Sequence, residues 1–269
     1  MNMFWHEIKS NYKSLLGWIA GILFFQLSGY SKFQGFKAAQ GSSSINVIAN
    51  SFPKPLLAIF GMSNLNIATL IGYFGILYIF FALIAAIYSG LLGANIVSKE
   101  ERDKTSEFIY TKPVSRTSVL GAKFFAGLIN ILILFVIINL SSIVGVGITN
   151  SNNFTLTGQV TNLMWGILLI QTFFYCMGIM FASIFKSPKT PTVIIATVIV
   201  ASYFISVLSE LSTNLEWLKY LTPFQWFSAP SLINSGHVAY GYVIVVVILS
   251  TIFTGIGWYI FNKRDITVV

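Results

Sequence analysis

Charge is scarce in this sequence. Asp, Glu, Lys and Arg together make up 9% of 269 residues, where an ordinary globular domain carries about a quarter. Acidic groups are the scarcer half, eight against sixteen basic ones, so the chain carries +8. A soluble nucleic-acid binder is basic too, but it is not this poor in charge. No basic stripe interleaved with base-stacking aromatics is present either, so nucleic acid is not an expected partner. A single cysteine, Cys176, excludes an internal disulfide framework and any cysteine-cluster metal site. The G-x-x-x-x-G-K-[ST] loop that cradles nucleotide phosphates is missing. What is abundant is apolar: hydrophobic residues reach 55%, with 24 Phe, 12 Tyr and 6 Trp, which also rules out intrinsic disorder. At a mean hydropathy of +0.78 this is an all-α integral membrane protein.

The charge-free stretches show the organisation. No Lys, Arg, Asp or Glu occurs in 14–31, 55–98, 124–185, 190–209 or 220–262. A helix needs roughly 20 apolar residues to cross the hydrocarbon core. The 124–185 stretch therefore holds two crossings, broken by the polar run TNSNNFTLTGQ at 149–159. The 55–98 and 220–262 stretches hold one crossing each plus an apolar loop. Six transmembrane helices are expected, at about 14–30, 70–95, 124–148, 162–185, 192–209 and 240–261, within one membrane domain spanning 1–269.

Lys and Arg set the orientation. With the N-terminus inside, segments 1–13, 98–123, 186–189 and 262–269 hold twelve of them, and the outer segments hold four. That asymmetry predicts both termini in the cytoplasm. The first span lacks an A-x-A-like cleavage site after Tyr30, so it is expected to stay as a retained helix. Ahead of it, Phe4, Trp5, Ile8, Tyr12 and Leu15 share a helical face opposite Lys9 and Lys13, which predicts an interfacial helix over 1–13.

The span interiors contain no Asp, Glu, Lys, Arg or His, whereas carriers driven by ion gradients commonly place one in mid-membrane. Their polar members are Gln26, Asn95, Asn130, Asn139 and Gln171. Most read as interhelical hydrogen-bond glue, with Asn139 and Gln171 the candidates for lining a substrate path. Small residues recur at helix-packing spacing in Gly17-x-x-x-Gly21, Ala82-x-x-x-Ala86, Ala86-x-x-x-Gly90 and Gly178-x-x-x-Ala182. Some are expected to join helices within the chain and one face to meet a partner subunit. Enzyme signatures fail on inspection. His6-Glu7 opens like a zinc-protease helix, but position 10 is Ser; Glu100-Glu101 lacks the Arg that a paired-glutamate protease needs at position 105, which is Thr. His6 and His237 fall on opposite sides of the membrane in this topology.

Segment 98–123 breaks the apolar pattern, with ten of the chain's 24 charged residues. Ser98 and Glu101 form a capping-box spacing that predicts a helix start, and Pro113 an end. Phe108 and Ile109 give that helix an apolar edge. Its residue order, with Thr105, Glu107, Pro113, Val114, Ser115 and Arg116 at matching spacing, resembles the signature after the second helix of ABC-2 type permeases. These are membrane subunits of ATP-binding-cassette exporters. Lys104 stands where that family usually has Gly. Tyr220-Leu-Thr-Pro-Phe and the tail Asn262-Lys-Arg-Asp265 are similar to two further family segments, and the resemblance runs the whole length of the chain.

The resemblance implies a mechanism. A separate cytoplasmic ATPase would bind ATP and Mg, with no cofactor in this chain, and dock on a coupling helix at 98–116. Glu100, Glu101, Thr105, Glu107, Phe108, Pro113, Ser115 and Arg116 would form that element, beside a connecting helix carrying Phe4, Trp5 and Ile8. A second, identical or similar permease would complete the path in a bacterial cytoplasmic membrane. Trp217, Tyr220, Phe224, Trp226 and Phe227 read as an interfacial aromatic belt; by resemblance Trp217, Tyr220, Pro223, Phe224 and Trp226 become an outer gate, broken into short helices at Pro223 and Pro230. The competing expectation is a membrane scaffold, immunity protein or sensor that binds an ATPase or a peptide without transport. Neutral, aromatic-rich spans suit a hydrophobic or amphipathic cargo.

Overall fold

The structure is a computed structural model describing residues 2–50, 53–61, 65–103, 115–150 and 155–263, without the side chains of Asn2, 36–50, Lys54 and Thr213. Helices make up most of the described residues, and no strand occurs among them. The elements are α1 (Asn2–Asn50), α2 (Lys54–Ile59), α3 (Leu70–Arg102), α4 (Arg116–Thr149), α5 (Thr157–Ile184) and α6 (Thr190–Leu211). A 3-10 helix (Thr213–Leu221) follows, then α7 (Pro223–Trp226), α8 (Ala229–Ser235) and α9 (Tyr240–Lys263). Six of these are long and apolar enough to cross a membrane: α1 over Met3–Gly35, α3, α4, α5, α6 and α9. They coincide with the six expected spans. The start of α1, the ends of α3 and α5, the starts of α4 and α6 and the end of α9 lie together at one end of the bundle, called here the terminal side.

Two expectations change. The interfacial helix at 1–13 is not a separate element, because α1 runs through residue 13 without a break. The first proline of the chain is Pro53, so nothing upstream interrupts the backbone ladder. The predicted stripe divides accordingly: Phe4, Ile8 and Leu15 turn inward, while Trp5 and Tyr12 stay exposed. Nor does a helix start at Ser98. Ser98 lies buried inside α3, which continues to Arg102, where Asp103 caps it. Capping-box spacing has no effect inside a helix whose carbonyls already serve the Ser98 amide. At 33 residues α3 is about 50 Å long, and α4 is similar, so both project beyond a hydrocarbon core of about 30 Å.

Helix starts follow local chemistry. Thr69 Oγ1 accepts from the Gly72 amide at 3.1 Å to cap α3, and Ser115 Oγ accepts from the Ser118 amide at 3.3 Å to cap α4. Gly236, at φ 69, closes α8 in the left-handed conformation that only glycine adopts without strain.

The core is the pair α3 and α5, with 56% and 61% of their membrane windows buried against 17% for α9. Glycine sets their separation. A Cβ on Gly93 would collide with the Tyr175 carbonyl, and one on Gly178 with the Gly90 carbonyl. Backbone meets backbone here, as helices do in lipid when packing replaces the hydrophobic drive. On the flank, α1 lies along α4: the Tyr30 ring fills the space beside Gly145, and Gln26 Nε2 donates to Ser142 Oγ at 2.8 Å. Gly17 and Gly21, by contrast, have open space above them.

Candidate functional site

The terminal side carries a cluster of buried charged groups. It is built on α4, whose buried stripe Val119, Leu120, Lys123, Ala126, Gly127, Asn130 follows the 3–4 spacing of an inward helix face. A lysine in that stripe must find partners or remain neutral. Lys123, 2% exposed, finds three: Glu7 Oε1 of α1 at 3.2 Å, Glu100 Oε1 of α3, and the Ile96 carbonyl of α3 at 2.6 Å. An ammonium has three N–H donors, and all three are used. Glu7 is as deeply buried as the lysine, with its second carboxylate oxygen, Oε2, unpartnered among the described residues. Glu100 keeps a side-chain exposure of 12%.

The surroundings reinforce this junction. Lys99, next to Glu100, donates to Ser10 Oγ of α1, and Asn11 Nδ2 donates to the Glu7 carbonyl at 3.0 Å. From α5, Tyr175 OH donates to the Phe124 carbonyl at 2.9 Å, one residue past Lys123. Further round, Asn95 Oδ1 accepts from Arg102 Nη1 at 3.0 Å and from Thr192 Oγ1 of α6 at 3.4 Å. Five helices, α1, α3, α4, α5 and α6, are thus tied near the level of Lys123. Two of them, α3 and α4, are the flanks of the connection in which the charged signature lies.

Of the sequence-selected coupling residues, Thr105, Glu107, Phe108 and Pro113 lie outside the described residues. Glu100 turns inward to Lys123 instead of outward to a partner. Glu101 is half-buried near the end of α3; Ser115 is the exposed cap of α4 and Arg116 its half-buried first residue. Phe4 and Ile8 pack against the core, and Trp5 is exposed. Glu7 and Lys123 were legible only as half of a failed zinc motif and as one positive charge among many. The available signal was Lys123's position on an apolar stripe, two turns into the helix.

The two path candidates are not joined by a hydrogen bond. Gln171 is fully buried in α5 with neither amide atom partnered among the described residues; Asn139 is half-buried in α4 with its Oδ1 unpartnered. Gln26 bonds across to Ser142 of α4 and Asn95 accepts from Thr192 of α6, as interhelical glue does, whereas Asn130 Nδ2 donates to the Ala126 carbonyl of its own helix.

At the opposite end, the aromatic group divides. Trp217 and Tyr220 are exposed on the 3-10 helix, whereas Pro223, Phe224 and Trp226 are buried. The short helices fold back onto the spans. Tyr78 OH of α3 donates to the Phe227 carbonyl at 2.7 Å, Ser206 of α6 donates to Gln225 Oε1 at 3.0 Å, and Thr222 Oγ1 donates to the Ser202 carbonyl at 2.9 Å. Trp226 stacks on Tyr242 of α9 with centroids 5.9 Å apart. Prolines 223 and 230 sit in the first turns of α7 and α8, where a missing N–H costs nothing.

Six apolar helices, an ionic junction at one end and a folded-back aromatic segment at the other describe a membrane domain. No individually curated protein matches the sequence significantly. The model of the family described as ABC-2 family transporter protein matches residues 1–266, nearly the entire chain. The chain therefore belongs to the ABC-2 transporter family, as a multi-pass membrane protein with a permease role in transport.

Proposed function

We propose that this chain is the path-forming subunit of an exporter in the cell membrane, with its terminal side in the cytoplasm. A separate ATPase chain binds ATP and Mg and docks on the connection between α3 and α4. Glu101, Thr105, Glu107, Phe108, Ser115 and Arg116 are the candidate contacts, with Pro113 shaping the segment. A second permease, identical or similar, faces this one across the path. The observation that carries this reading is the concentration of charge in 98–123, in a chain whose spans are otherwise neutral and which has no phosphate-binding loop of its own. Energy then has to enter from a partner, and this segment offers the recognition chemistry. The neutral amides and hydroxyls of the interior suit a hydrophobic or amphipathic cargo. The folded-back segment 213–235, carrying Trp217, Tyr220, Pro223, Phe224 and Trp226, is placed to gate its exit.

The test is purification of the tagged full-length chain from native membranes, followed by flux in inside-out vesicles. A P-loop ATPase is expected to be retained, and ATP to drive uptake of cargo into the vesicles. Retention of an ATPase without ATP-driven flux of any cargo would favour a scaffold or sensor instead.

A further inference from the structure

The Lys123 cluster is an unusual investment for a membrane protein. Burying an ion pair seldom stabilises a fold, since desolvation offsets the Coulomb attraction and neutral residues of similar volume generally do as well or better. Here two carboxylates surround one ammonium, and the cluster links three helices that are far apart in sequence: Glu7 in α1, Glu100 in α3, Lys123 in α4. Glu100 lies two residues before the end of α3, and Lys123 seven residues after the start of α4. Charge-assisted bonds with every ammonium donor in use fix orientation more tightly than apolar contact.

We infer that Glu7, Lys123 and Glu100 form a transmission joint: a rigid three-way tie that makes the ends of α1, α3 and α4 move as one body when the α3–α4 connection is displaced. Lys123 is the positioning residue at its centre. Ionic geometry is what the joint supplies, not stability. A merely apolar junction would let α1 slide on the other two, and a push on the connection would be absorbed locally. The inference rests on the proposed docking of an ATPase at this connection, since that is the source of the displacement.

Spin labels test the joint without any partner protein. They are placed at Lys9→Cys on α1 and Ser118→Cys on α4, both exposed sites, in a Cys176→Ser background of the full chain in lipid nanodiscs. The wild-type cluster and Lys123→Arg should give a single narrow distance distribution. Lys123→Met should broaden it. The decisive variant is the neutral triple Glu7→Gln, Lys123→Met, Glu100→Gln, which removes every buried charge and is expected to fold. A broad distribution in the folded triple variant is expected. A narrow one overturns the inference, because packing alone would then hold the joint; a triple variant that fails to fold overturns it too, because the ions would then serve stability. In inside-out vesicles the triple variant should lose about tenfold in ATP-driven flux. Absence of flux in the wild type would sink the docking proposal, whereas wild-type flux in the triple variant would sink the joint.

Discussion

The hydroxyl of Tyr175 occupies the volume that a Cβ on Gly127 would need, and from there it donates to the Phe124 carbonyl at 2.9 Å. One tyrosine of α5 thereby sets how closely α4 can approach and satisfies a backbone acceptor one residue past Lys123. Gly127→Ala should destabilise the protein by about 1–3 kcal/mol, the usual cost of overpacking a tight interior. Tyr175→Phe alone should cost about 1 kcal/mol through the lost bond. In the double variant the two losses should be less than additive, since removing the oxygen relieves part of the clash. Thermal unfolding in detergent, run as a double-mutant cycle, measures this; strict additivity would contradict the contact.

Small-residue motifs that look alike in sequence should behave differently. At Gly93 and Gly178 a Cβ would meet backbone, which no rotamer change relieves. Gly93→Ala and Gly178→Ala should each cost about 3 kcal/mol or prevent membrane accumulation. At Gly17 and Gly21 nothing lies within 4 Å, so alanine there should leave the unfolding temperature of the single chain unchanged. Equal effects at the two pairs would refute the α3–α5 seam.

How much of this was legible in the sequence follows from the same residues. The spans were, because a charge-free run of membrane length has few other uses. The interhelical bonds of Gln26 and Asn95 were legible by type, though their partners Ser142 and Thr192 were not, and Asn130 spends its donor on Ala126 of its own helix. The helix start at Ser98 was misread because a capping box is a local pattern, and Ser98 is claimed by the longer-range burial of α3. Lys123 escaped because a topology rule counts every lysine as an external charge. Only its register with Val119, Leu120 and Ala126 marks it as internal. The fold-back of 213–235 was visible at its two prolines, but its anchor, Tyr78, lies 149 residues away from Phe227.

Stability should separate one charge from three. Lys123→Met leaves two buried carboxylates facing each other and should cost about 3–5 kcal/mol. Adding Glu7→Gln and Glu100→Gln should restore most of that loss, because the uncompensated charge is gone. Unfolding temperatures of the single and triple variants check it. A triple variant as unstable as the single would mean that hydrogen bonds, rather than charge balance, set the energetics of the cluster.

The Tyr78–Phe227 bond should hold the folded-back segment down. Tyr78→Phe removes a hydroxyl that satisfies a buried carbonyl, at a cost of about 1 kcal/mol. The segment should then open more often, and a thiol placed at Ser228 should react faster with a membrane-impermeant maleimide in a Cys176→Ser background. An unchanged labelling rate would show that Ser206, Thr222 and the Trp226–Tyr242 stack suffice without it.

Gln171 presents the sharpest conflict between stability and use. Its amide is fully buried in α5 and neither atom is partnered among the described residues, so it costs free energy where it stands. Removing a buried unsatisfied group while keeping its volume is neutral or stabilising, so Gln171→Leu or Gln171→Met should raise the unfolding temperature or leave it unchanged. If Gln171 lines the path when the helices shift, the same substitutions should lower ATP-driven flux while the protein accumulates normally. A variant more stable and fully active would remove Gln171 from the path and leave its burial without a role in transport. A variant less stable would mean that the amide makes a bond to water or to a second subunit, which crosslinking from position 171 in the paired permease would locate.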